Sequence, residues 1–445
     1  MAPSSGVWRG ARAISLRLCL VLAFGCSALG CSAPASAPPA SYLTDASFRR
    51  AELEASLVNP GDGYARLRLE HYATGTTGDW ERLPEWNPVV EPIALEELDA
   101  ALGASTTSLS SAAEALALPA QVSSDEDPAL VALGKSAFER YPVQPASYLR
   151  VALGSRAAAR SYGLWLDEAR GAGGLVRTRL ADGSVQLAFT CASCHAAPGA
   201  TELEPGRPNA ALDLGAALVD AAQGGLDVAT AHALGAWGPG RLDVTTSTGL
   251  EPARITDLRP VRFQANLQQD ATLRMRGRTT LAIRIETLVI TSNGQALRPP
   301  RVVALALAAY LMSLGAALPS PEVAANAWPA GARVFSERCA SCHAPPAFSG
   351  PAVPLEVVGT EPSLGLSAER GTGTYRVPSL RGVATRGPLL HDGTLPSLAA
   401  MFDPTRTDAA FTGALHGVAG VAGHLDGLDL PAAERSALLA YLGSL

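Results

Sequence analysis

Cys339-Ala340-Ser341-Cys342-His343 is the stretch on which the rest of the chain depends, and an identical copy stands at Cys191-Ala192-Ser193-Cys194-His195. CxxCH is the attachment sequence for c-type haem. Two thiols three residues apart bond to the porphyrin, and the adjacent histidine reaches the iron as proximal ligand. CxxC pairs also build zinc sites, but a histidine directly after each pair favours haem. Cysteine and histidine are scarce, seven of each in 445 residues, so chance is a poor account of two identical matches. The sequence predicts two covalently bound haem c groups, one on Cys191, Cys194 and His195 and one on Cys339, Cys342 and His343.

The remaining cysteines, Cys19, Cys26 and Cys31, lie near the N-terminus, which leaves no thiol for a disulfide. That segment has the layout of an export signal: Arg9, Arg12 and Arg17, then an apolar run from Leu18 to Gly30. Ala28-Leu29-Gly30-Cys31 resembles a bacterial lipobox, with Cys26 as a second candidate and plain cleavage near Ala33-Pro34-Ala35 as the alternative. Covalent haem attachment takes place outside the bacterial cytoplasm, so leader and motifs agree. The expectation is a periplasmic protein whose contact with the membrane is a lipid anchor. A net charge of -6 gives no reason to expect a nucleic-acid partner.

The expected organisation is a signal at 1–31, a linker and accessory segment at 32–128, and haem domains at 129–320 and 321–445. Residues 32–41 are low-complexity and suit a flexible tether. Helical patterning begins after Pro128 and recurs around Leu164-Trp165-Leu166, and Ala181-Asp182-Gly183-Ser184 is a turn between short strands. Arg254-Ile-Thr-Asp-Leu-Arg-Pro-Val261 aligns without gaps on Arg376-Val-Pro-Ser-Leu-Arg-Gly-Val383, and the register continues through Asp270 on Asp392 and Leu273 on Leu395. Each copy ends in a similar helix, Ala309–Leu314 against Ala440–Leu445. The apolar run Val302–Leu318 is barely long enough to span a membrane, and a buried helix against haem suits it better. The fold class expected from this layout is mainly α: two tandem cytochrome c-like haem domains with an N-terminal accessory segment.

The sixth position of each iron decides what the protein can do. For the second haem, His424 in the glycine-flanked Gly423–Gly427 loop is the first candidate and Met401 the second. The plainer alternatives are a solvated loop histidine and a core methionine. His391 suits a hydrogen-bonding place near a propionate or at the domain interface, and His416 suits the surface. For the first haem, Gln269 occupies the repeat position of His391, and Asn293 that of His424. Amides are poor iron ligands, which leaves Met275 and His232. The expectation is one open or labile iron and one closed.

Both motifs, with the stretch Val377-Pro-Ser-Leu-Arg-Gly-Val-Ala-Thr-Arg-Gly-Pro-Leu-Leu-His391-Asp-Gly393, resemble the bacterial dihaem cytochrome c peroxidase superfamily. That group includes the methylamine dehydrogenase maturation enzyme and the rubber oxygenases. The resemblance covers about 130–445. It implies an N-terminal haem that activates peroxide and a C-terminal haem that draws electrons from a redox partner protein or small donor. It also implies calcium at carbonyls matching Arg386 and Pro388, and a catalytic glutamate for which Glu286 is the nearest match. The bland place for Glu286 is the surface, paired with an arginine. The family's methionine ligand falls a helical turn beyond Met401, which favours His424. Where the family's W-D-G motif carries its inter-haem tryptophan, this chain has Gln269-Asp270-Ala271. A pure electron-transfer protein and an oxygenase acting on an organic substrate are the rival expectations.

Overall fold

In the computed structural model, the described residues are 41–74, 79–99, 108–180, 182–243 and 251–445. The export signal, the lipobox cysteine and nearly all of the tether lie outside them. Two apolar cores organise the described part of the chain.

The first core is centred on the helix Arg301–Leu314, in which every residue from Val303 to Leu311 is buried. It packs on the helices Ala129–Arg140 and Arg278–Ser292. The helical stretch Arg301–Ala327 is long and apolar enough to cross a membrane by length and composition. Its apolar side chains are largely used up in this packing instead. Contact with Ala129–Arg140 is close because Gly134 has no side chain: a Cβ there would lie 1.9 Å from the carbonyl oxygen of Ala306. One turn on, Phe138 packs against Tyr310 with ring centres 5.5 Å apart.

The second core repeats that device. The helix Pro329–Arg338 crosses the terminal helix Ala432–Gly443 at Gly331, where a Cβ would lie 2.1 Å from the carbonyl of Ala437. Phe335 then meets Tyr441 at 5.6 Å. Gly134 precedes Phe138 by four residues and Gly331 precedes Phe335 by four, so each pair shares one helix face.

The expectation of a mainly α chain with two tandem cytochrome c-like haem domains and an N-terminal accessory segment is overturned. The fold is mixed α/β, with fourteen short strands in six small sheets among the described residues. Four of these strands form one antiparallel sheet in the order Val90–Pro92, Leu175–Arg179, Val185–Phe189, Gln144–Pro145. The described residues show no counterpart to it in the second half. Its central hairpin turns at Asp182–Ser184, where sequence patterning puts a turn. The short strands expected on either side of that turn are present. Leu175 to Thr178 are all buried, so polar and apolar positions do not alternate by exposure.

The N-terminal segment is not accessory either. Tyr42, Leu53, Tyr64, Trp80 and Trp86 belong to the same apolar core as the Arg301–Leu314 helix, and Val90–Pro92 is an edge strand of the sheet. The identical pentapeptides also fold differently. Cys191–His195 is a short helix that follows a strand, whereas Cys339–His343 is a turn that ends a helix. Neighbouring structure, not local propensity, sets the backbone of a stretch this short.

Candidate functional site

Ser193 anchors the first motif. The backbone N–H of Thr190 donates to Ser193 Oγ at 3.2 Å, and both hydroxyls donate to the carbonyl of Gly174, at 2.8 and 3.0 Å. The short helix is thereby pinned to the start of the hairpin. His195 points Nδ1 at the carbonyl oxygen of Thr256, 2.8 Å away, and His343 points Nδ1 at that of Phe348, 3.2 Å away. A carbonyl only accepts, so Nδ1 carries the proton and Nε2 keeps its lone pair. Metal-bound histidines are oriented this way. Burial lowers both histidines to about 4, which keeps the rings neutral at ordinary pH. Burial raises the thiols of Cys191 and Cys194 to about 12 and that of Cys339 to about 11. Among the described residues, no three His, Cys, Asp or Glu side chains gather as a metal site would require.

Each motif opens on a cavity that leaves about 1310 Å³ between its walls, mouth included. The cavity at His343 is also lined by Cys339, Cys342, Met401, His391 and His424. The imidazoles of His343 and His424 stand with ring centres 6.3 Å apart and planes tilted by 53°. A metal-bound imidazole has its ring centre about 3 Å from the ion, from a bond of about 2 Å plus the ring radius. Two such rings on one iron stand about 6 Å apart, so this pair fits a doubly capped site. The buried Met401 lines the same cavity. His391 stacks on Tyr375 at 4.0 Å and stands 3.7 Å from Glu361.

The cavity at His195 differs. Cys191, Cys194, Gln268, Gln269 and Arg284 line it, and among the described residues it contains no second histidine and no methionine. His232 is exposed on a helix, Met275 packs against the apolar core, and the Asn293 amide donates to the carbonyls of Val143 and Val289. None of the three lines the cavity.

Glu286 is brought to neither cavity. Leu281, Arg284, Ile285 and Leu288 give one face of their helix to the His195 cavity, and Glu286 lies off that face. Its carboxylate accepts hydrogen bonds from Tyr42 (2.6 Å) and Tyr72 (2.8 Å) and stands 3.3 Å from Arg301 Nε. It is a fully buried anchor for the N-terminal segment. His416 is half-buried, not a surface residue, and its Nδ1 lies against Gly238. At the positions the resemblance assigns to calcium, the buried Arg386 guanidinium donates to the carbonyls of Ser379 and Arg381 and lies 3.8 Å from Asp257.

The two cavities share a wall made of Arg254, Gln269 and Arg376. Arg254 and Arg376 are the aligned first residues of the repeat, and Gln269 and His391 are aligned further on. The contacts cross over: Arg376 N donates to Gln269 O, and Arg254 N donates to His391 O, each at 3.0 Å. Arg254 Nη1 and Arg376 Nε are buried and have no hydrogen-bond partner among the described residues. Burial without an ion pair pulls Arg254 down to about 9 and Arg376 to about 10. A wall of unneutralised guanidiniums suits the carboxylates of a group seated on either side. The repeat was legible in the sequence, but its use as a common wall was not, because sequence similarity does not say which copies touch. Comparisons with family models and with curated proteins return no match.

Proposed function

We propose that this chain is an exported dihaem c-type cytochrome with a peroxidase-like oxidoreductase activity. One observation supports this reading above the rest: His343 has a second imidazole at 6.3 Å, while the cavity of His195 offers none among the described residues. Cys191 and Cys194 would carry one haem with His195 as ligand. Cys339 and Cys342 would carry the other between His343 and His424, with Met401 packed beside them. Bound haem supplies one-electron redox chemistry and, where an axial face is free, a place for a small oxidant such as peroxide. The protein's part is to hold each imidazole neutral and aimed, to exclude water, and to set positive charge between the cavities. The shared wall gives the two cavities a common boundary, suited to passing electrons from an outside donor toward the His195 side. The likeness of both motifs and of 377–393 to the dihaem peroxidase superfamily points the same way.

Intact-mass measurement of protein matured in a periplasm is expected to show two haem adducts. Absorbance and EPR spectra, taken resting and half-reduced, are expected to show one low-spin site that ignores cyanide and one site that cyanide perturbs. Two low-spin sites indifferent to cyanide in both states would replace the enzyme with an electron carrier. Peroxide turnover with a reduced cytochrome as donor then separates peroxidase from oxygenase.

A further inference from the structure

Arg284 stands apart from the other cations around the His195 cavity. Arg370 has Asp270 at 3.2 Å. Arg254 and Arg376 each donate to protein oxygens, Leu390 O in one case and the side chain of Gln269 in the other. Among the described residues the Arg284 side chain makes no hydrogen bond or ion pair, its Nη1 is buried without a partner, and it lines the cavity. Burial lowers its pKa from the ordinary guanidinium value. Asp270 and Tyr64 act on it through space, but neither is hydrogen-bonded to it, and a buried donor left without a partner is costly.

Gln268 lines the same cavity and is oriented for the same task. The hydroxyl of Thr272 donates to its Oε1, so the amide NH2 is turned away, and Nε2 is buried without a partner among the described residues. The residue is held at φ 64, a left-handed conformation that side-chain-bearing residues seldom adopt. Strain of this kind persists where the surrounding structure fixes it, and it clusters at ligand sites.

We infer that Arg284 and Gln268 are the anion-holding residues of the His195 cavity, donating N–H groups to a small anionic ligand of the hydroperoxide class. This rests on the dihaem reading. The arginine contributes a charge-assisted hydrogen bond, and the amide adds a second donor that fixes orientation. The site therefore favours anions over neutral ligands of similar size.

The test is azide and carbon monoxide titration of the full-length haem-bearing protein, followed by absorbance. Arg284→Gln is expected to weaken azide binding at least tenfold and to leave carbon monoxide affinity within twofold. Gln268→Leu is expected to weaken azide several-fold, and Arg284→Lys, which keeps the charge but not the planar fork, to fall between wild type and Arg284→Gln. A change confined to packing would shift both ligands together, and that result would overturn the assignment. So would wild-type azide affinity in R284Q or, if that variant does not accumulate, in R284K and Q268L together. Intact mass separates the two levels: no adduct at Cys191 and Cys194 ends the dihaem reading itself, whereas unchanged azide binding with both adducts present ends only this inference.

Discussion

In front of His343 stands a second imidazole, whereas the cavity of His195 is walled by glutamines, arginines and aliphatic side chains, with no second histidine among the described residues. The two sites begin from the same five residues, and both orient the histidine through a backbone carbonyl at Nδ1. Their difference comes from segments far away in sequence, the 423–427 loop in one case and the Arg278–Ser292 helix in the other. On the dihaem reading, attachment would be encoded locally and accessibility by what the rest of the chain lays opposite, so that one motif could serve two roles.

The comparison can be broken in four ways. The largest expected effect is on cofactor content. Replacing Cys191 and Cys194 by alanine should remove one haem adduct and the cyanide-sensitive spectrum together. The same change at Cys339 and Cys342 should remove one adduct and the low-spin spectrum. If both double variants lose the same spectral component, the two sites are not distinct. Next in size, His424→Ala should convert the low-spin site to high spin, while Met401→Leu, His232→Ala and Met275→Leu leave the spin states alone. An unchanged spectrum in the His424 variant would strike out its ligand role.

The helix crossings come third. A methyl at Gly134 would meet Ala306 O at 1.9 Å and Ala306 C at 2.5 Å, so Gly134→Ala is expected to cost about 3 kcal/mol, the upper end of overpacking. Gly331→Ala meets Ala437 O at 2.1 Å and is expected to cost about 2 kcal/mol in the smaller core. Urea unfolding measures both, and equal or negligible losses would show that the two crossings bear no such load. The smallest effect concerns Asp270, whose carboxyl burial pushes up to about 6, against the pull of Arg370 at 3.2 Å and with Asp62 adding to the rise. Its folded value lies above the ordinary 3.8, so the folded state holds the proton more tightly. Stability is then greatest below about pH 4, falls as pH rises to about 6, and stays level above. Asp270→Asn should remove that slope in unfolding experiments at pH 4 and pH 6.

What could be read from the sequence was chemistry carried by rare residues. Cys191, Cys194, His195, Cys339, Cys342, His343 and His424 all line cavities, two motifs and one loop apart. The repeat from 254 and from 376 was also legible, as were the terminal helices. The hairpin turn near Asp182 and the short strands beside it were legible too, whereas the other strands, two to five residues long, were not. Nor was the place of Glu286. A carboxylate three places from a buried isoleucine gives no sign of which helix face it occupies until the helix is docked. Gly134 and Gly331 did leave a signal: each stands four residues before a phenylalanine in the helix leading toward its motif.

The crossed hydrogen bonds between Arg376 and Gln269 and between Arg254 and His391 have a bearing on synthesis. A nascent chain that has emerged only to residue 320 already displays Cys191 and Cys194, yet it lacks Arg370 and Arg376, which close the His195 cavity. The thiols made first therefore wait for the part made last. Cleaving the polypeptide near 320 would not yield two independent miniatures, since each piece would be missing a side of its own chamber.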